Sequence, residues 1–235
     1  MPLKLIRKIV LPLLATLALN SCSRHYTIAG DMTHDVVSGR MLYLSVNQGV
    51  EKLHTVDSCQ IVHGRFNFMG ETDSVVMARL YVDHEMVMPF VIEGGEMNIT
   101  IDYYKKSVKG GSLNEQLNVY FHKMSELQTQ WENICDRRLQ LYMAGTLKPH
   151  ILAELDAQET EVLKKIELTE TNFICENYKN PLGAGMFLLL TERLMLPQIT
   201  PQIDEILRNA PPEFLNSPYV ASFIRLTGYK VKPKK

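Results

Sequence analysis

The sequence predicts an α+β protein, in which an antiparallel β-sandwich or open barrel of about seven strands precedes an α-helical region with a long helical hairpin. Between residues 26 and 104 apolar and polar residues alternate, whereas after residue 112 apolar residues recur every three or four positions. The pair Gly110-Gly111 separates the two patterns. We therefore divide the chain into a signal segment (1–21), a β-domain (22–108), a helical domain (109–229) and a basic tail (230–235).

The N-terminal segment has the order of a secretory signal peptide. Lys4, Arg7 and Lys8 give a positively charged start, and an apolar run follows from Ile9 to Leu19. A membrane-spanning helix needs about 20 apolar residues, and Pro12 interrupts this shorter run. We expect the segment to be cut off rather than to stay in the membrane.

The apolar run ends in Leu19-Asn20-Ser21-Cys22, which resembles a bacterial lipobox. The resemblance implies that the chain is cut before Cys22, whose sulfur and amino group are then acylated. Several acyl chains anchor strongly, because each buried methylene contributes roughly 0.8 kcal/mol. Ser23 stands where an aspartate would resemble an inner-membrane retention signal. We expect an outer-membrane lipoprotein of the cell envelope facing the periplasm; the alternative is an ordinary signal peptide with a chance cysteine.

Composition limits the classes of partner. The chain has 46% hydrophobic residues, enough for a packed core, and its formal net charge of -1 gives no field that would attract nucleic acid. The lysines of the basic tail suit a solvated terminus, with anionic lipid as the alternative contact. Apart from Cys22 the cysteines are Cys59, Cys135 and Cys175, without a Cys-x-x-Cys pair, and we expect buried free thiols.

Strands are clearest at residues 97–103, where apolar and polar residues alternate strictly. The same period appears at Leu42, Leu44 and Val46, at Val76, Ala78, Leu80 and Val82, and at Phe66 and Phe68. Turns are expected at Asn47-Gln48-Gly49, at His63-Gly64 and at Glu93-Gly94-Gly95-Glu96.

The helical region begins with Ser112 and Glu115, which are spaced as a capping box. An apolar seam follows at Leu117, Tyr120, Met124, Leu127, Trp131 and Ile134. Gly145 is expected to end this helix and Pro149 to begin its antiparallel partner. The partner's apolar stripe comprises Leu152, Leu155, Val162, Ile166 and Phe173.

Three further helix starts are predicted where a residue that can cap a helix is followed by proline: Asn180-Pro181, Thr200-Pro201 and Ser217-Pro218. The first of these helices is apolar on all sides at residues 186–190, which predicts the central buried helix. Gly183 and Gly185 are expected to allow close backbone approach.

Several segments together resemble an N-terminal β-domain of unknown function in bacterial lipoproteins. They are residues 26–30, 63–70, 91–96 and 109–115, continued by 180–183 and 217–219. In that family the β-domain and a helical stretch commonly precede a thioredoxin-like thiol-disulfide oxidoreductase domain. This chain ends at Lys235, where the catalytic domain with its Trp-Cys-x-x-Cys motif would begin. We therefore carry no catalytic residue over, and we expect that domain to be missing here.

Other reactive constellations are also weak. The seven histidines show no His-Glu-x-x-His spacing, and Asp83-His84-Glu85 suits a polar turn better than a metal site. Lys109-Gly110-Gly111-Ser112 suits a linker and helix start better than a phosphate cradle. The residues Tyr103, Tyr104, Lys105 and Lys106 fit either a glycan or peptide contact or a lysine-protected sheet edge. We expect no metal and no cofactor.

These patterns favour a lipid-anchored, non-enzymatic binding or interaction module, whose partners are the membrane and a protein of the envelope. The alternative, which the resemblance implies, is an accessory factor to a separate thioredoxin-like oxidoreductase in envelope redox or stress chemistry. A direct enzymatic role through Asp83, His84 and Glu85 is the weakest of the three hypotheses.

Replacing Cys22 with Ala tests the anchor. We expect the variant to accumulate as uncut, unlipidated precursor, because the acylated sulfur is gone. Metabolic labelling with a fatty-acid analogue and the mass of the purified protein measure this. Maturation of Cys22→Ala and its retention in the outer membrane would refute the prediction.

Overall fold

The computed structural model describes residues 24–33, 38–47, 53–102 and 106–230. Within these ranges eight strands form two four-stranded sheets and six helices follow, without a closed barrel. The predicted α+β class is therefore confirmed. The predictions for Cys22, for the turn at Gln48-Gly49, for residues 103–105 and for the tail beyond Lys230 lie outside the described residues.

The strands are β1 (Arg24–Met32), β2 (Met41–Asn47), β3 (Leu53–Gln60), β4 (Arg65–Thr72), β5 (Val76–Val82), β6 (Glu85–Ile92), β7 (Gly95–Ile101) and β8 (Lys106–Lys109). The first sheet has the order β4-β1-β7-β8 and the second the order β3-β2-β5-β6. Neighbouring strands are antiparallel as predicted, except that β1 and β7 pair in parallel. A parallel pair needs a long crossover, and here the chain forms the second sheet in between.

The core between the sheets is built from the predicted inward-facing residues. Val76 is half-buried, and the others are buried: Leu42, Leu44, Val46, Phe66, Phe68, Ala78, Leu80, Val82, Met97, Ile99 and Ile101. In β1 and β7 the intervening residues are exposed, so the outer face of the first sheet meets solvent. In β5 and β6 residues of both faces are buried, because helices cover the second sheet.

The helices are α1 (Ser112–Met143), α2 (Pro149–Glu176), α3 (Pro181–Glu192), α4 (Pro201–Asn209), α5 (Pro212–Leu215) and α6 (Pro218–Thr227). Every helix from α2 onward begins with proline, where the missing N–H loses no hydrogen bond. The side chains of Asn180 and Thr200 accept N–H groups of the following turn, which confirms these caps. The predicted Ser217 cap is wrong, because its hydroxyl donates back to the Phe214 carbonyl.

Helices α1 and α2 form the predicted antiparallel hairpin. Tyr120 stacks on Phe173 with ring centroids 4.4 Å apart, and further along Trp131 donates to Glu159. Gly145 follows the end of α1 with a φ of 66°, a left-handed conformation that suits glycine. Leu152 is the wrong member of the predicted stripe, since it is exposed near the turn that joins the two helices.

Helix α3 is the buried centre of the helical region, as predicted. Phe187 packs edge-to-face against Phe214 and Phe223, with centroids 5.7 and 5.4 Å away. A Cβ on Gly185 would lie 1.9 Å from the sulfur of Met77 in β5, so glycine permits the predicted close approach. One hydrophobic core includes residues from both sheets and from all six described helices.

The start of α1 corrects the predicted capping box. Gly111 occupies the cap position, and Ser112 makes no side-chain cap. The carboxylate of Glu93, in the turn between β6 and β7, accepts the N–H groups of Leu113 and Asn114 at 2.9 and 3.1 Å. The tertiary fold thus places a negative charge at the positive end of the helix, which local sequence spacing does not reveal.

Two asparagines of α1 complete the edges of both sheets. Asn114 accepts the N–H of Val91 in β6 and donates to the Val91 carbonyl, both at 2.8 Å. One turn later Asn118 pairs in the same way with the N–H and carbonyl of Val108 in β8. β6 and β8 are edge strands, so these side chains satisfy backbone groups that would otherwise lack partners.

No helix in the described ranges is both long and apolar enough to cross a bilayer.

Replacing Asn114 with Ala should destabilise the fold by about 3 kcal/mol, because it leaves the buried Val91 N–H and carbonyl unpaired. Urea denaturation of the chain from Ser23 onward measures this. Asn172→Ala, at an exposed position of α2, is the control and should change stability little. Equal effects of the two substitutions would refute the edge-closing role of Asn114.

Candidate binding surface

The distal part of the hairpin, residues 127–162, extends away from the core; we call it the arm. Its buried apolar residues are Leu127, Leu155 and Val162, and none of the three belongs to the main hydrophobic core. The arm therefore depends on its own contacts to stay closed.

A charged cluster around Arg138 forms hydrogen bonds between the two helices of the arm. Its Nη2 donates to Asp156 at 2.9 Å and to Glu159 at 2.6 Å, while the indole of Trp131 donates to the second Glu159 oxygen at 3.1 Å. The hydrogen bond from Arg138 is the largest cause that lowers the pKa of Glu159, and the hydrogen bond from Trp131 lowers it further. We call these four side chains the arm lock.

Beyond the arm lock, apolar side chains are exposed. Leu139, Tyr142 and Met143 are 56%, 72% and 78% exposed. A shallow depression of about 270 Å³ beside them is lined by Cys135, Arg138, Leu139, Tyr142 and Leu147. We define Leu139, Tyr142, Met143 and Leu147 as the tip surface. Clustered exposed apolar residues are typical of sites that contact another molecule.

The arm lock and the tip surface meet at Arg138. Arg138 is one of the residues that line the depression, and its Nε is buried without a hydrogen-bond partner among the described residues. The surface of the depression is almost entirely apolar, an arrangement suited to an apolar side chain of a partner.

Sequence reasoning missed the tip surface, although a signal was present. The predicted seam stops at Ile134, and its continuation would use Arg138 and Leu141. Leu139, Tyr142 and Met143 fall beside that seam, where a two-helix hairpin has no third helix to bury them.

The residues singled out in the sequence are not brought together. Asp83 and His84 form the predicted polar turn, in which Arg40 pairs with Asp83 at 2.7 Å and lowers the pKa of that carboxyl. No group of three or more His, Cys, Asp or Glu side chains in the described ranges is placed to hold a metal ion. Cys22 lies outside those ranges.

The two remaining candidate segments have structural contacts. The N–H groups of Leu113 and Asn114 already bind the carboxylate of Glu93, so they are not free for a phosphate group. Lys106 donates to the Val87 carbonyl at 2.8 Å and bridges the two sheets, while Tyr103, Tyr104 and Lys105 are not described.

The thiols of Cys59, Cys135 and Cys175 are free, as predicted, but each is half-exposed, so the predicted burial is wrong. The hydroxyl of Tyr178 donates to the Ile206 carbonyl, so the S–H of Cys175 is the donor to that hydroxyl oxygen. Burial raises the pKa of both Cys59 and Cys175, which keeps these thiols protonated and weakly nucleophilic at neutral pH.

The geometry defines a class of protein: a two-sheet β-sandwich whose edges are closed by a helix that continues into a projecting hairpin. Residues 26–117 match a family described as Domain of unknown function (DUF4369). The matched segment contains the sandwich and the start of α1 with Asn114, and it ends before the arm. No curated protein and no solved structure matches the chain.

Acidification should open the arm. The pKa of Glu159 is lowered in the folded state, so its contribution to stability is present above the unfolded value of about 4.3 and is lost as pH falls through the folded value. Trp131 is the single tryptophan, so its fluorescence reports on the arm. We expect its emission to change below about pH 4.3.

Glu159→Gln should lose this transition, because an amide does not titrate, and its arm should already be looser at pH 7. Glu154→Gln, at an exposed position of the same helix, is the control and should keep the transition. An identical acid transition in Glu159→Gln would exclude the arm lock as its cause.

Proposed function

We propose that the protein is a lipid-anchored lipoprotein of the outer membrane that acts as a non-enzymatic binding module and contacts an envelope protein through the tip surface. The observation that carries this proposal is the group of exposed apolar residues beyond the arm lock. These side chains add nothing to the core, because the main core ends before the arm. Attachment at Cys22 is supported by the residues before it, which resemble a lipobox.

The arm lock supports a binding role because it organises the tip surface in advance. A partner that meets an ordered surface loses less conformational entropy than one that must order it. Tyr142 offers a rigid aromatic ring with a polar end, and Met143 offers a flexible apolar chain. Together they suit a partner with an apolar patch or a protruding apolar side chain.

The use of polar groups supports a non-catalytic role. Arg138, Glu159 and Asp83 are held in ion pairs, and the raised pKa of Cys59 and Cys175 disfavours the reactive thiolate. The ion pairs hold these charged groups in place, and a protonated thiol is a weak nucleophile, so each group is less available for a reaction.

The alternative function is that of an accessory factor to a separate thioredoxin-like oxidoreductase. The observation that favours it is Cys135, which lines the depression at the tip surface and is half-exposed. In this alternative the same surface would present a thiol to a partner that supplies the Cys-x-x-Cys motif.

The tip surface is tested by the combined change Leu139→Ser, Tyr142→Ser and Met143→Ser. We expect recovery of the envelope partner after crosslinking to fall about tenfold or more, because loss of apolar anchors weakens a contact by roughly 1.4 kcal/mol or more. Quantitative mass spectrometry of the captured proteins measures this. Unchanged recovery of every specific partner would refute the proposal.

The matched control carries Val119→Ser, Leu163→Ser and Leu168→Ser, which change equally apolar, exposed helical residues outside the tip surface. It should keep the partner. Cys135→Ser separates the two functions: loss of a trapped mixed disulfide with a Cys-x-x-Cys protein would favour the accessory role, and unchanged capture would favour the non-covalent one.

A further inference from the structure

The start of β1 lies very close to the proposed anchor. Arg24, its first residue, is only two positions after Cys22. Two residues span at most about 7 Å even when fully extended. The end of the sandwich at which β1 starts must therefore stay close to the acylated residue.

The strand register shows what else lies at that end. Arg24 is level with Thr72, the last residue of β4, and Tyr26 is level with Gly95, the first residue of β7. A Cβ on Gly94 would lie 3.0 Å from the Cβ of Arg24, which brings the turn between β6 and β7 to the same place. We call the surface formed by Arg24, residues 72–74 and residues 93–95 the anchor end.

Helix α1 starts at the anchor end and runs away from it. Its first turn is held by Glu93, in the turn just described. Asn118 is bound to Val108, which is level with Ile99 and hence with Gly30 of β1. Gly30 is six residues beyond Arg24, or about 20 Å along an extended strand. The helix therefore advances in the direction of β1.

The length of α1 then places the tip surface. From Asn118 to Met143 a helix advances about 38 Å. β8 begins at Lys106, level with Ile101 and Met32, so the sandwich ends about 27 Å from Arg24. A helix that continues straight passes this end and brings Met143 to about 60 Å from the level of Arg24.

We propose that the anchor end rests on the anchoring bilayer and that the arm stands away from it, so that the tip surface meets a partner beyond the membrane that holds the protein. The inference rests on the proposed lipidation of Cys22. Arg24, His25, Asp73 and Glu96 are exposed at or beside the anchor end. This polar, mixed-charge surface suits contact with lipid headgroups and not insertion among acyl chains.

The test measures height above the bilayer by energy transfer. The lipidated protein, which begins at Cys22, is bound to phosphatidylethanolamine and phosphatidylglycerol vesicles that carry an acceptor dye on the headgroups. A donor is attached at Asp73→Cys, Arg65→Cys or Ala144→Cys, each with Cys59, Cys135 and Cys175 changed to Ser. The dye pair is chosen so that its transfer distance lies between the expected heights of Arg65 and Ala144.

Transfer should be nearly complete at residue 73, intermediate at residue 65 and lowest at residue 144. Transfer at residue 144 equal to or above that at residue 73 would overturn the orientation. Failure of the protein to float with the vesicles would instead refute the lipid anchor, and the orientation with it.

A flexible insertion tests whether the short connection between Cys22 and Arg24 is what orients the protein on the bilayer. Ten Gly and Ser residues between Ser23 and Arg24 should reduce the difference in transfer between residues 73 and 65, because the anchor end is then free to leave the bilayer. An undiminished difference would overturn the short tether as the cause of the orientation.

Discussion

The arrangement of the whole chain depends on the hydrogen bonds that the side-chain amides of Asn114 and Asn118 form with backbone groups at the sheet edges. Each amide uses one of its N–H groups and its oxygen to pair with a backbone carbonyl and N–H, as a peptide unit of a neighbouring strand would. Their spacing of four residues places both on one face of α1. One face of one helix thereby closes the second sheet at Val91 and the first sheet at Val108. The contacts also set the direction of α1, and with it the direction of the arm.

A second contact holds the helical region against the face of the second sheet that points away from the first sheet. Arg79 of β5 is buried, and its guanidinium forms two hydrogen bonds with the carboxylate of Glu192, at 2.8 and 3.1 Å. A buried guanidinium requires such a partner, because an unpaired charge in the interior is strongly destabilising. Gly185 brings α3 close enough for the pair to form. The arm is thus carried by a helix fixed at the sheet edges and by a partner helix that leads directly into this packed face.

The sequence predicted those features of the fold that depend on local pattern. Alternation identified the inward residues of β2, β4, β5 and β7, and the three-and-four spacing identified the hairpin seam. It could not predict contacts between residues far apart in the chain. Ser112 and Glu115 have capping-box spacing, yet Glu93, some twenty residues earlier, occupies the helix start. The alternation in β5 places Arg79 on the face that does not point into the core between the sheets. It is buried because α3 packs on that face.

The tip surface differs from the rest of the molecule in what its apolar residues do. Leu80 or Phe187 is apolar because its burial stabilises the fold, whereas Tyr142 and Met143 are exposed and contribute no such burial. Arg138 joins the two regions, since the side chain that closes the arm is also one of the residues that line the depression. The arm lock orders the two helices that carry the tip surface, so a partner that binds this surface binds the closed arm. Closure of the arm and occupation of the tip surface should therefore favour each other, and a partner's affinity should depend on residues of the arm lock that it never touches.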